Sequence, residues 1–228
     1  MASARRIGAP EAKNRRVLID AAEQLLLEEG YAAVTSRRVA EKAGLKPQLV
    51  HYYFRTMEDL FLAVFRRMAE AGFDVLSNAL AAPKPLWELW RFSTRPEATR
   101  LTMEFMGLAN HRKALRAEIV YYAERFREEQ NKAIAAALAR YGVESKDVPP
   151  VVWTVFATSV SQALVVERAL GMTTGHAEIL DFCEEWLRRL EGEPPEADGD
   201  GHQLRIEQSA PLGPASVDTT TPSTASTQ

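Results

Sequence analysis

Cysteine is nearly absent from this chain: Cys183 stands alone in 228 residues. No internal disulfide can form, and a reducing cytoplasm is the expected setting. The four histidines, His51, His111, His176 and His202, are scattered, and no His-x-x-x-His or Cys-x-x-Cys spacing exists, so no metal site is expected. A Gly-rich phosphate loop and a G-x-S-x-G elbow are missing as well. The adjacent acids Glu128-Glu129 and Glu184-Glu185 fit solvated helix faces better than an acid/base pair. Enzyme chemistry therefore has no foothold, and no cofactor is expected. Alternation of β-branched residues is nearly absent, while Ala, Leu, Glu and Arg dominate, which predicts an all-α fold. An unbroken apolar run is also lacking near the N-terminus, where Asp20 and Glu23 interrupt the first helix, so a signal peptide is not expected. The most apolar segment, Pro150 to Leu170, carries Thr154, Thr158, Ser159, Ser161, Gln162 and Glu167, and is expected to pack in protein rather than lipid.

What is present is a chain that is 46% hydrophobic, enough to bury a sizeable core. The net charge of −3 is unevenly spread. Residues 1–16 hold Arg5, Arg6, Lys13, Arg15 and Arg16 against Glu11, whereas the stretch after Leu190 holds seven acids against Arg205. A basic end on an acidic protein suits a molecule that grips an anionic partner at one face. Ala2 to Pro10 lacks apolar periodicity, and reads either as a solvated tail or as a basic arm reaching phosphates. A helix over about Pro10 to Glu29 follows, with Val17, Leu18, Ala21, Ala22, Leu25 and Leu26 as its stripe and Gly30 at its end.

The most informative stretch is Thr35 to Leu60, TSRRVAEKAGLKPQLVHYYFRTMEDL. Thr35 stands where a side-chain oxygen would serve the free N–H groups of a first turn, and Val39, Ala40 and Ala43 follow at helical spacing, predicting a short helix over about Ser36 to Lys42. Gly44 falls just past that helix, where a left-handed residue is needed, and Leu45 can fold back on it. Pro47 suits a first helical position, so a second helix over about Pro47 to Tyr53 is expected, burying Leu49, Val50, Tyr53 and Phe54. Its other side carries Lys46, Gln48, His51 and Tyr52, donors and stackers suited to phosphates and base edges. Thr56 and Asp59 approximate a capping box for the next helix. Two short helices around a sharp turn make a helix-turn-helix, and imply binding to double-stranded DNA.

These residues resemble the DNA-binding domain of the TetR family of bacterial regulators, whose pattern is roughly T-x-x-x-I/V-A-x-x-A-G-V-S-x-G-x-L-Y-Y-H-F-x-S-K-E-x-L. Thr35, Val39-Ala40, Ala43-Gly44-Leu45, Val50, Tyr52, Phe54, Thr56, Glu58 and Leu60 fall in step. Departures cluster on the DNA face: Lys46-Pro47-Gln48 replaces Ser-x-Gly, His51-Tyr52-Tyr53 replaces Tyr-Tyr-His, and Met57 stands where Lys is frequent. The resemblance implies that Arg37, Pro47 and Gln48 face base edges, while Thr35, Ser36, His51, Tyr52 and Lys46 hold phosphates. Arg37 and Arg38 diverge by about 100° on a helix, so one of them is expected to be an ordinary surface charge; the resemblance selects Arg37 for DNA. It also implies a ligand-responsive repressor that binds a palindromic operator as a homodimer.

Beyond Gly72 the sequence reads as a helical bundle, with elements at Leu60 to about Ala81, Leu86 to Phe92, Pro96 to His111, Lys113 to Tyr141, Pro149 to Leu170 and Gly175 to Glu191. The expected organisation is a basic arm (1–9), a helix-turn-helix domain (10–56), a ligand-binding and dimerisation bundle (57–191) and an acidic Ser/Thr/Pro-rich tail (192–228). Val152, Phe156, Val160 and Ala163 on one terminal helix, with Ile179, Cys183, Trp186, Leu187 and Leu190 on the other, form stripes expected at a dimer interface that would space two recognition helices by about 34–36 Å. Among the bundle's aromatic and methionine side chains, Trp90, Phe105, Met106, Tyr122, Phe126, Trp153 and Phe156, with the polar Asn110, His111 and Gln162, are candidates to line a pocket for a bulky apolar effector. The alternative is a helical DNA-binding or protein-interaction module without an effector, for which a sealed core among Trp90, Phe105, Tyr122 and Trp153 would speak.

Overall fold

The computed structural model describes residues 13–94, 96–143 and 148–195. Among these residues the structure is entirely helical: α1 (Lys13–Glu29), α2 (Ser36–Lys42), α3 (Pro47–Tyr53), α4 (Met57–Ala81), α5 (Pro85–Ser93), α6 (Pro96–Ala109), α7 (Lys113–Arg140), α8 (Pro150–Ala169) and α9 (His176–Glu191). A single 3-10 turn, Tyr31–Ala33, joins α1 to α2 and had no periodic signal to announce it. The arm of residues 1–9 and the tail beyond Pro195 lie outside the described residues.

Helix starts and stops follow the local chemistry. Thr35 Oγ1 accepts the Arg38 N–H, and Thr56 and Asp59 form a reciprocal capping box at the head of α4. Pro47, Pro85 and Pro150 open α3, α5 and α8, where a missing N–H costs nothing. α7, at 28 residues, runs about 42 Å and spans both halves of the molecule.

Two apolar cores are stacked along α4. The first joins Leu18, Leu25 and Leu26 of α1, Val39 of α2, Val50 of α3 and Leu60, Val64 and Phe65 of α4 to Phe105 of α6 and Leu115 and Tyr122 of α7. The second gathers Leu76 of α4, Trp87 and Trp90 of α5, Ile134 and Leu138 of α7, Leu164 of α8 and Cys183 and Leu187 of α9. The first three helices thus do not pack as an isolated unit: their core continues into α6 and α7, and packing divides within α4, between Ala69 and Leu76. Ion pairs run beside it, Arg67 to Asp20 and Glu23 of α1, and Arg66 to Glu118 of α7 through two bonds of 2.6 and 2.9 Å.

α8 is the outlier. It is long and apolar enough to cross a membrane, yet only 22% of its apolar window is buried. Its inward side is Thr154, Ser161 and Leu164, whereas Val151, Val152, Val155 and Phe156 stand exposed. The expectation that this segment packs in protein is met on one face only within this single chain.

Candidate nucleic-acid interface and bundle cavity

The turn between α2 and α3 is a Schellman motif. Gly44, at φ +65°, sends its N–H to the Glu41 carbonyl at 3.0 Å, and Leu45 sends its own to Ala40 at 2.9 Å. Leu45 then packs on the first core. This closure fixes the angle at which α3 leaves, and α3 buries Val50 while presenting Pro47, Gln48, His51 and Tyr52 to solvent. Phe54, buried at the end of α3, carries the Arg15 guanidinium 5.1 Å over its ring, tying α1 to this face.

The same neighbours sort the arginines of α2. Arg38 binds Glu29 of α1 at 2.6 Å and Lys42 binds Glu28 at 2.7 Å, so both cations are held to α1. Arg37 is exposed, and no ion pair engages it among the described residues. Thr35, Lys46, Pro47, Gln48, His51 and Tyr52 are exposed with it, and Ser36 is half-buried. Seven of the eight residues assigned from the sequence to DNA are thus exposed on or beside α2 and α3, with Arg37 and Lys46 as the cations among them.

The bundle contains a cavity of about 80 Å³ between α5, α7, α8 and α9. Leu86, Leu89 and Trp90 border it from α5, Gln130 and Ile134 from α7, Trp153, Thr154 and Thr158 from α8, and Cys183, Trp186 and Leu187 from α9. Phe156 and Phe182, both largely exposed, stand at its open side. Trp153 and Trp186 stack at 4.9 Å between ring centroids. Burial among these apolar groups pushes the Cys183 thiol above its ordinary pKa, which keeps it protonated and unreactive.

Of the pocket residues expected from the sequence, Trp90, Trp153 and Phe156 meet here. The others do not line this cavity. Phe105 is fully buried in the first core, and Tyr122 is buried there with its hydroxyl donating to Glu70 at 2.6 Å. Phe126 is stacked on Phe73 between the two cores. Met106, Asn110, His111 and Gln162 point to solvent, because the buried face of α6 is Leu101, Phe105 and Leu108 and that of α8 is Thr154, Ser161 and Leu164. The residues read as dimer stripes divide between two sides in this chain. Cys183 and Leu187 face the second core of their own chain, and Ile179, Trp186, Leu190 and Val160 lean on it. Val152, Phe156 and Ala163 remain on the exposed side. Sequence reasoning missed Val151, Val155 and Phe182, which extend that side; the signal was Phe182 itself, a large apolar residue off the α9 stripe.

An all-helical chain with a capped, sharply turned pair of short helices and an exposed second helix is a helix-turn-helix protein. The profile of the family described as bacterial regulatory proteins, tetR family, matches residues 18–64. The HTH-type transcriptional regulator BetI of Rhizobium meliloti is 32% identical over 126 residues, covering 51% of this chain. The HTH-type transcriptional repressor AcnR of Corynebacterium glutamicum is 26% identical over 80% of this chain and 96% of its own. The chain spans 62% of the length of the rhizobial relative. The fold is shared with a transcriptional regulator of Saccharomonospora viridis solved in complex with choline, at a TM-score of 0.67 and 17% identity, over 78% of this chain and 97% of the other. The chain thus carries an N-terminal helix-turn-helix domain of the TetR type followed by a helical domain, in the fold of solved TetR-family regulators.

Proposed function

We propose that this protein is a cytoplasmic, dimeric repressor that binds a palindromic operator and is released by an apolar small molecule. The observation that carries the reading is the exposed set of Arg37, Pro47 and Gln48 on a helix-turn-helix in which the other cations of α2, Arg38 and Lys42, are held by α1. Arg37 is suited to a two-pronged contact with guanine and Gln48 to adenine, each worth about 1–3 kcal/mol of discrimination. Thr35, Ser36, Lys46, His51 and Tyr52 would fix register on phosphates.

Dimerisation is supported by the exposed apolar side of α8, continued by Phe182 of α9. A soluble helix with such a face requires a partner, and a second copy supplies a self-complementary one. Effector control is supported by the cavity at Trp90 and Trp153, which a module without an effector would not need. A ligand favouring a state with mis-spaced recognition helices lowers operator affinity by its differential affinity for the two states.

Selection of the purified protein on random duplex DNA at a stated, moderate salt concentration tests the reading. An enriched palindrome is expected. Arg37→Ala and Gln48→Ala should each relax preference at a defined position, while Tyr52→Phe should weaken all sequences alike. No enriched motif from folded, dimeric protein would defeat it.

A further inference from the structure

The cavity wall has an unusual inventory of hydrogen-bonding groups. Among the described residues no charged side chain borders it. Its hydroxyls have already spent their protons: Thr154 Oγ1 donates to the Pro150 carbonyl at 3.2 Å, Thr158 Oγ1 to Thr154 at 2.8 Å, and Ser93 Oγ to Trp90 at 3.1 Å. Cys183 offers only a weak S–H donor. What remains is the Gln130 amide and the indoles of Trp90, Trp153 and Trp186, and among these the Nε1–H of Trp90, a residue 5% exposed, is buried without an acceptor. A buried N–H without a partner costs about as much as a lost hydrogen bond, and native structures keep few of them. Trp87, one turn away on the same helix, shows the usual solution, donating Nε1–H to the Gly192 carbonyl at 3.0 Å.

We propose that the cavity takes a small, uncharged, mostly apolar molecule bearing one hydrogen-bond acceptor, such as a carbonyl, which receives the Trp90 Nε1–H. This rests on reading the cavity as the effector site. Its volume of about 80 Å³ is roughly half the ~150 Å³ that admits benzene, so the occupant is small or extends through the open side between Phe156 and Phe182. A cation is disfavoured. Among the described residues the cavity wall offers aromatic faces but no carboxylate to offset desolvation, and an ammonium brings no acceptor for the orphaned donor. The choline held by the Saccharomonospora regulator is therefore the wrong class of molecule for this chain.

The test uses the full chain with ¹⁵N-labelled tryptophan, whose four indoles give four resolvable N–H resonances, Trp90 being assigned by its loss in Trp90→Phe. Three probes are titrated: acetone, its isostere 2-methylpropene, and choline. Both neutral probes should shift Trp153 and Trp186 and leave Trp87 in place. Only the ketone should move Trp90 downfield, and it should bind roughly two- to tenfold tighter than the hydrocarbon. Trp90→Phe should erase that advantage while retaining hydrocarbon binding, which also shows that the variant is folded. Equal binding of ketone and hydrocarbon, or binding of choline alone, overturns the ligand class and leaves the effector site standing. If no probe moves Trp153 or Trp186, the effector reading falls and takes this inference with it.

Discussion

Removing the carboxylate of Glu191 should destabilise the protein more than any other single polar deletion in the bundle. Glu191 is the last residue of α9 and is buried. Its Oε1 accepts the Leu86 N–H at 3.0 Å and the Tyr141 hydroxyl at 3.1 Å, and its Oε2 accepts the Trp87 N–H at 3.0 Å. Leu86 and Trp87 are the second and third residues of α5, whose N-cap, Lys84, provides no side-chain acceptor. A residue more than a hundred positions away therefore caps this helix, with the negative charge at the favourable end of its dipole. In Glu191→Ala two buried backbone donors and a tyrosine hydroxyl lose their acceptor. At about 1–3 kcal/mol per stranded group, less what water entering the vacated space restores, the loss is about 3–5 kcal/mol. That is a large share of an ordinary domain's 5–15 kcal/mol. Glu191→Gln keeps one acceptor oxygen but turns an NH₂ toward the other donors, while escaping the cost of a buried charge, and should lose about half as much. Urea unfolding at one fixed protein concentration, with tryptophan fluorescence, measures both. A loss below about 1 kcal/mol for Glu191→Ala with unchanged m would refute the reasoning, since it would mean that α5 is capped by water at no cost.

Three further outcomes are expected. Gly44→Ala should cost about 1 kcal/mol by urea unfolding purely through its φ of +65°, because a Cβ there meets nothing within 4 Å, and Gly44→Asn should cost less; equal stabilities would dismiss the left-handed turn as a constraint. Phe182→Glu should shift sedimentation from dimer toward monomer with helical circular dichroism unchanged, and an intact dimer would remove this residue from the proposed interface. The Arg66 guanidinium, bonded to Glu118, holds that carboxyl below its ordinary 4.5. A depressed folded pKa contributes stability present above about pH 4.5 and lost as pH falls through the lower folded value. Glu118→Gln should therefore flatten the acid limb of stability below about pH 5 by a fraction of a kcal/mol to about 1, Arg66 being half-exposed, and leave the neutral-to-alkaline limb unaltered. Parallel acid limbs for the two proteins would contradict the pairing.

The sequence by itself determined everything that depends on neighbours within one or two turns. Thr35, Gly44, Pro47 and the Thr56/Asp59 box place the ends of α2, α3 and α4 because capping and left-handed turns are interactions across three to five residues. Helical periodicity likewise located α5 to α9 to within a few residues, and the helix-turn-helix followed from that local grammar. The tertiary structure decided what involves residues far apart in the chain. Glu29, on another helix, binds Arg38 and not Arg37, which stands exposed. The stripe of Cys183 and Leu187 looked equally suited to a partner or to its own core, since an apolar face says only that it is buried and not by what; packing against α5 and α7 turned it inward and left Phe182 outside. Phe105 and Trp90 are indistinguishable as aromatic residues on amphipathic helices, yet one fills a sealed core and the other borders a cavity, because void space is set by how several helices meet and not by any one of them.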